Sequence, residues 1–199
     1  MLSSAFFERF GMLVIDDFLD RRTCARFLRA ARTAKSNAAE VWSEGETRVD
    51  REARRTARAN VSRAVRDDVE RRLLAIKPRV ERHFRVKLKA LQAPQFLVYR
   101  RGDFFECHTD DGQERGTPGY LRRRRISVVV SLGGDASKRP SSTGGALVFP
   151  GLFDDPRLRG REFAPIRRPG QLIAFRAGVV HGVSPVVRGS RFTIVSWYC

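Results

Sequence analysis

The chain has 199 residues, 42% of them hydrophobic, with 39 Lys and Arg against 22 Asp and Glu and a formal net charge of +17. That length suits one domain with a sizeable core, and that apolar share excludes an intrinsically disordered chain. Three widely spaced cysteines, Cys24, Cys107 and Cys199, form no CxxC pair, which excludes a zinc ribbon or a disulfide framework and points to reduced thiols. No apolar run approaches the length of a membrane span, and no basic stretch followed by a long apolar run opens the chain. A cytoplasmic protein without membrane contact is therefore expected.

Phe6 to Phe18 contains a Gly-Met-Leu-Val-Ile core and reads as a first strand. Asp20 then offers an N-cap, and Cys24, Phe27, Leu28 and Ala31 recur at helical spacing. Residues 43–60 are polar and charge-rich with little periodicity, so a loop or mobile segment is expected there. Helical spacing returns from Val61 to Phe84, with Val65, Val69, Leu73 and Leu74 near one face and Pro78 expected to end or kink the helix. From Phe96 the period changes to that of strands. Short β-rich runs cover residues 96–100, 104–109, 126–132, 146–149, 171–176, 180–187 and 191–198, punctuated by Gly, Pro, Ser and Asp. Many short strands argue for a sandwich, barrel or jelly roll. Gly133-Gly134 and Gly144-Gly145 bracket a Ser/Gly-rich stretch between strands, which reads as a long hairpin loop rather than a phosphate cradle.

One short stretch carries chemistry. In Cys107-His108-Thr109-Asp110-Asp111, an extended backbone would point His108 and Asp110 the same way. An imidazole and a carboxylate side by side can share a metal ion. Of the three histidines, His83 is flanked by arginines and has no acidic residue two positions on, so it is set aside. His181, near the start of a later strand, is left as the third ligand. Two histidines and one carboxylate with other positions open is the arrangement of non-haem Fe(II) oxygenases. Ten residues after His181 comes Arg191. The ordered set His-x-Asp, distant His, then Arg is far more specific than any member alone.

These residues resemble the Fe(II)- and 2-oxoglutarate-dependent dioxygenases, in particular the prolyl 4-hydroxylase-like branch. The likeness runs through Phe96–Asp110, Arg125–Leu132, Gly144–Phe149 and Gly170–Trp197, and more weakly through Met12–Leu19; residues 35–92 are least constrained. It implies a mainly β fold with N-terminal helices, a double-stranded β-helix (jelly roll). The expected organisation is one domain over residues 1–199, with residues 1–92 as helical support and 93–199 as the β-helix core. His108, Asp110 and His181 would be the iron ligands and catalytic centre. Arg191 would hold the far carboxylate of 2-oxoglutarate, with Tyr99 and Thr193 as further cosubstrate contacts. A tyrosine that some relatives carry on the strand matching Ile126–Leu132 is absent here, where the strand is Ser and Val. The implied cofactors are Fe(II) and 2-oxoglutarate as cosubstrate, with ascorbate as a reductant that keeps the iron reduced. Asp110 speaks against halogenation, because halogenating relatives vacate that ligand position.

The resemblance leans toward hydroxylation of a prolyl or other side chain in a peptide or protein. A free amino acid or other small molecule is the rival substrate. A nucleic-acid-directed oxygenase or binding module would use Arg122-Arg123-Arg124-Arg125 and the arginines from Arg48 to Arg66, yet both stretches lack the interleaved aromatics that single strands stack on. Arginine heavily outnumbers lysine and alanine is frequent, as a GC-rich coding bias produces, so specific nucleic-acid binding is not expected.

Overall fold

The computed structural model describes residues 10–43, 46–112, 116–134, 143–151, 162–165 and 168–199. The hairpin loop expected between Gly134 and Thr143 and the apolar residues before Phe10 lie outside them. Among the described residues no helix is long and apolar enough to cross a membrane.

Two antiparallel sheets form the body. The larger has seven strands in the order β1 (Met12–Ile15), β13 (Leu172–Arg176), β9 (Ile126–Gly134), β16 (Arg191–Tyr198), β7 (Gln95–Tyr99), β6 (Ala57–Ala59) and β2 (Ser36–Ala38). The smaller has five: β12 (Glu162–Phe163), β11 (Leu147–Pro150), β14 (His181–Val183), β8 (Phe104–His108) and β5 (Arg54–Arg55). Two short ribbons pair β3 (Val41–Ser43) with β4 (Glu46–Arg48), and β10 (Thr143–Gly144) with β15 (Val186–Arg188). The expected runs are thus strands, except that residues 180–187 split into β14 and β15 around Ser184-Pro185.

Strand alternation divides the larger sheet's faces. Phe96 and Val98, Ile126, Val128, Val130 and Leu132, and Phe192, Ile194 and Tyr198 pack in one core with the helices α1 (Arg21–Thr33) and α2 (Arg63–Phe84). The intervening residues Leu97, Tyr99, Ser127, Val129, Arg191, Val195 and Trp197 line a cavity instead. The residues between the apolar ones therefore make the site, and the helices exist to cover the other face.

Both helices begin as the sequence predicts. Asp20 caps α1, accepting the Thr23 backbone N–H at 2.9 Å and the Thr23 hydroxyl at 2.7 Å. Cys24, Phe27 and Ala31 are buried, giving α1 its core stripe. Helix α2 starts at the Ser62 cap and buries Val69, Leu73, Val80 and Phe84. The Tyr198 hydroxyl donates to the Leu73 carbonyl at 2.6 Å, tying α2 to the central strand; burial pushes the Tyr198 phenol above its ordinary pKa.

Two expectations need correction here. Pro78, expected to end or kink α2, does not end it, and the helix runs through to Phe84. A proline removes the bond to the carbonyl four residues earlier. That carbonyl belongs to Leu74, which is 45% exposed rather than on the buried face, so water can take the lost donor's place. Residues 43–60 are not a plain loop either, because β4, β5 and β6 fall within them. These strands are two or three residues long, and most of their residues face solvent or the cavity rather than a core, so they carry no apolar alternation. The arginine run Arg122 to Arg125 lies before β9 rather than in it. Gly119–Arg122 is a short helix, α3, with Arg123 as its C-cap, and Arg124 turns inward.

Candidate active site

The smaller sheet supplies the two histidines. Strand β8 ends at His108 and β14 begins at His181, and the two residues are cross-strand partners in the β8–β14 ladder. Gly182 permits that approach: a Cβ there would meet the Phe105 carbonyl oxygen at 2.9 Å. Asp110 lies just past the end of β8, in a bend, where its backbone N–H donates to the Ala177 carbonyl at 2.8 Å. Its position beside His108 therefore comes from this bend, not from a continuing strand. Gly112 closes the bend at φ +55°, and a Cβ there would strike the Thr117 methyl at 2.2 Å.

His108, Asp110 and His181 converge, each offering a ligand atom within 4.8 Å of the others. His108 Nε2 is 3.6 Å from Asp110 Oδ1, and His181 Nε2 is 3.4 Å from Asp110 Oδ2. Neighbouring donors around a divalent ion with bonds of ~2.1 Å lie roughly 3 Å apart, so small adjustments bring all three onto one centre. The tautomers fit as well. His108 Nδ1 lies 2.8 Å from the Glu106 carbonyl and His181 Nδ1 2.9 Å from the Val179 carbonyl. A carbonyl only accepts, so both Nδ1 atoms carry the proton and both Nε2 lone pairs are free to bind metal.

The electrostatics favour the same state. Burial lowers the His181 pKa, against the pull of Asp110, and keeps its imidazole neutral. Burial alone would raise the Asp110 pKa, but positive charge at the position of the His181 and His108 rings, together with the Ser127 hydroxyl, holds its carboxyl far below the usual range; with both rings neutral, a bound metal ion would supply that charge. The Ser127 hydroxyl donates to Asp110 Oδ2 at 2.6 Å. Of the histidines, His83 stays outside the site, its ring 4.7 Å from that of Phe84.

The larger sheet supplies the cation. Arg191 is 3% exposed, sits opposite Tyr99 in the β16–β7 register, and lies 4.8 Å over the Tyr99 ring. Both line the main cavity of about 900 Å³, which also holds His108, Asp110 and His181. Thr193 does not line it. With Ser131 it lines a small side cavity of about 20 Å³, and Arg191 belongs to both walls. The Thr193 and Ser131 hydroxyl oxygens are buried and form no hydrogen bond among the described residues. Orphaned buried hydroxyls beside a buried guanidinium suit an incoming carboxylate, which would accept from all three.

Several lining residues were not singled out from sequence. Ser127 orients Asp110. Arg124 lies 3.6 Å over the Trp197 ring, donates from Nε to Gln92 Oε1 at 3.0 Å, and approaches Asp110 Oδ1 at 3.8 Å. Phe105 stacks on His108 at 3.7 Å, and Arg54 lies 4.5 Å over Phe105. The Ser-x-Val alternation of β9 was the available signal for Ser127. Asp111 is half-buried against Gly178, where a Cβ would meet its Oδ2 at 2.9 Å.

Residues 94–199 match the profile of a family described as the 2OG-Fe(II) oxygenase superfamily. A mouse protein, "2-oxoglutarate and iron-dependent oxygenase domain-containing protein 2", is 31% identical over 86 residues, which are 43% of this chain and 23% of that one. The matched region thus spans under a quarter of that relative's length. Among solved structures, a Pseudomonas putida prolyl-4-hydroxylase superposes with TM-score 0.67 at 22% identity, covering 94% of this chain and 91% of that one. A Trichoplax adhaerens prolyl hydroxylase, solved with a hypoxia inducible factor oxygen degradation domain peptide fragment, gives 0.69 at 15% identity, covering 94% and 83%. At these identities the two structures establish the shared double-stranded β-helix fold.

Proposed function

The chain belongs to the 2OG-Fe(II) oxygenase superfamily, and from that premise we propose that it hydroxylates a C–H bond of a prolyl or other side chain in a peptide or protein. Iron, with 2-oxoglutarate and dioxygen, supplies the oxidising power for that step and leaves succinate and carbon dioxide. The chain's own residues do the rest. His108 and His181 present neutral Nε2 donors, and Asp110 presents an ionised carboxylate that Ser127 keeps in place. Arg191, with the Thr193 and Ser131 hydroxyls, offers a buried end for the cosubstrate's far carboxylate. Tyr99 walls the path between that end and the triad.

The observation that carries the reading is the convergence of the triad and Arg191 on one cavity from opposite sheets. The peptide preference is supported by the neighbour solved with a peptide fragment. The test is succinate release from 2-oxoglutarate by the Fe(II)-loaded protein, followed by a peptide and metabolite panel. Slow turnover without prime substrate is expected, together with its loss in His108→Ala, Asp110→Ala and His181→Ala. Wild-type turnover by the His181 variant would sink the assignment.

A further inference from the structure

Arg54 stands in the segment whose sequence pattern points to a loop. Strand β5 pairs with β8 so that Arg54 is opposite Phe105. The guanidinium lies 4.5 Å over the Phe105 ring, and that ring stacks on His108 at 3.7 Å. A cation is therefore fixed by an aromatic face next to the metal ligands. It lines the same cavity as the triad, with Trp42, Arg58 and Asn60.

No ion pair fixes it. Arg54 Nη1 donates to the Glu40 carbonyl at 3.1 Å, the Tyr99 hydroxyl is its strongest electrostatic neighbour, and Asp110 acts on it without touching it. Its Nε is buried and makes no hydrogen bond among the described residues, and no carboxylate there forms an ion pair with it. Burial lowers its pKa, yet a guanidinium keeps its charge in any protein environment. Arg54 is half-buried with its Nε out of water, and a partly desolvated guanidinium without a counter-ion favours a ligand that brings one.

Charge accounting points to which ligand. A divalent ion with Asp110, together with Arg191, balances the two carboxylates of 2-oxoglutarate. Arg124 is held at the Asp110 end of the site by Gln92, the Trp197 ring and Asp110 Oδ1 at 3.8 Å. Among the described lining residues Arg54 and, in the exposed part of the wall, Arg58 have no ion-paired carboxylate, and Arg54 is the one fixed beside the triad. We propose that Arg54 is a specificity-determining residue that holds a carboxylate of the prime substrate close to the reacting C–H bond. The enzyme then acts on acid-bearing substrates. This rests on the oxygenase reading above. The carboxylate can come from an acidic residue beside the target in a peptide or from the substrate's own carboxyl group.

Calorimetric titration of the Mn(II)- and 2-oxoglutarate-loaded chain tests it. One arm compares acetyl-Glu-Pro-amide with acetyl-Gln-Pro-amide, the other L-proline with L-prolinamide. The wild type should bind the acid about tenfold or more tighter than its neutral mate in at least one arm, and the arm tells the source of the carboxylate. Arg54→Gln should bring the ratio near one, and Arg54→Lys should keep part of it. The ratio is taken within one protein preparation, so a partly unfolded variant does not distort it. Equal binding of acid and amide by the wild type, or binding of neither, overturns the proposal. So does a full preference in Arg54→Gln, including the case where that variant weakens 2-oxoglutarate binding instead. Parallel succinate assays with Fe(II) separate the two ideas: a wild type that never forms succinate fails as an oxygenase, whereas the acid–amide ratio is a binding measurement that stands or falls by itself.

Discussion

His108 and His181 are direct partners across the β8–β14 ladder, their ring centroids 4.5 Å apart. Each also donates its Nδ1 proton to the carbonyl two residues upstream, Glu106 and Val179. The same local device thus orients both rings, and the hydrogen-bonded sheet fixes their spacing. Asp110 is placed by the bend after β8 and its carboxylate is oriented by side-chain contacts, which makes those neighbours the sensitive part of the site.

Ser127→Ala should therefore weaken Mn(II) or Fe(II) binding about 10–100-fold, the usual cost of losing a group that orients a metal ligand. The substitution removes one oxygen from a buried strand residue and should leave the melting profile nearly unchanged. Metal titration followed by electron paramagnetic resonance measures it. Undiminished affinity would mean that Arg124, 3.8 Å from Asp110 Oδ1, suffices to hold the carboxylate.

Arg191→Ala should leave metal binding largely intact and weaken 2-oxoglutarate by about 2–5 kcal/mol, the range for truncating one partner of a buried charge pair. Titration of 2-oxoglutarate into the Mn(II)-loaded variant reads this directly. Arg176 cannot substitute, because it donates to the Phe84 carbonyl at 2.8 Å beside the helices. Arg188 is exposed and lines neither cavity. Unchanged affinity would point to Arg54 as the cosubstrate's cation.

The β3–β4 ribbon and the following turn place Trp42, Thr47, Ala53 and Arg54 on the cavity wall. Segments that wall a site from one side often close on bound substrate. Tryptic cleavage at Arg48 and Arg51 should slow when 2-oxoglutarate and a stimulating substrate are both present. Equal cleavage under all conditions would make the ribbon a fixed wall.

The metal ligands were legible because His-x-Asp is a local pattern and the second histidine was one of few. Arg191 was legible through its place ten residues later in a strand. Arg54 was not, because its role depends on β5 pairing with β8, a contact between segments about fifty residues apart with only two residues on the β5 side. Ser127 was hidden differently. A serine in a strand reads as a filler between apolar residues until the strand's inner face is known. The continuation of α2 through Pro78 was illegible because it turns on the exposure of Leu74, a property of packing rather than of the proline.

Away from the site, Asp68 on α2 binds Arg26 of α1 and also Arg71 and Arg72, at 3.3 and 3.2 Å. Burial would raise its pKa, but these guanidinium groups, Arg26 foremost, hold it below the ordinary value. A folded pKa below the unfolded one, about 3.9, means that the ionised aspartate stabilises the fold at higher pH. That contribution is complete above the unfolded pKa and disappears as pH falls through the folded one. Asp68→Asn should cost about 1–3 kcal/mol at pH 7, little less at pH 5, and progressively less as pH falls below about 3.9. Urea unfolding of both proteins across this range checks the trend, and a pH-independent difference would place the effect in packing instead.

Strand β16 lies between β7 and β9 in the larger sheet and pairs with both. It comes after both in the sequence, so although β9 has β13 and β7 has β6, the edge that each turns toward the other stays unpaired until β16 arrives. Pairings of such sequence separation carry a high loop-closure cost and make folding slow. Until then β7 and β9 present open edges rich in valine and phenylalanine, the kind of surface that recruits other chains. Polypeptides interrupted before Arg191 should therefore accumulate as aggregates rather than as soluble partial folds, and chaperone demand during synthesis should peak in that interval.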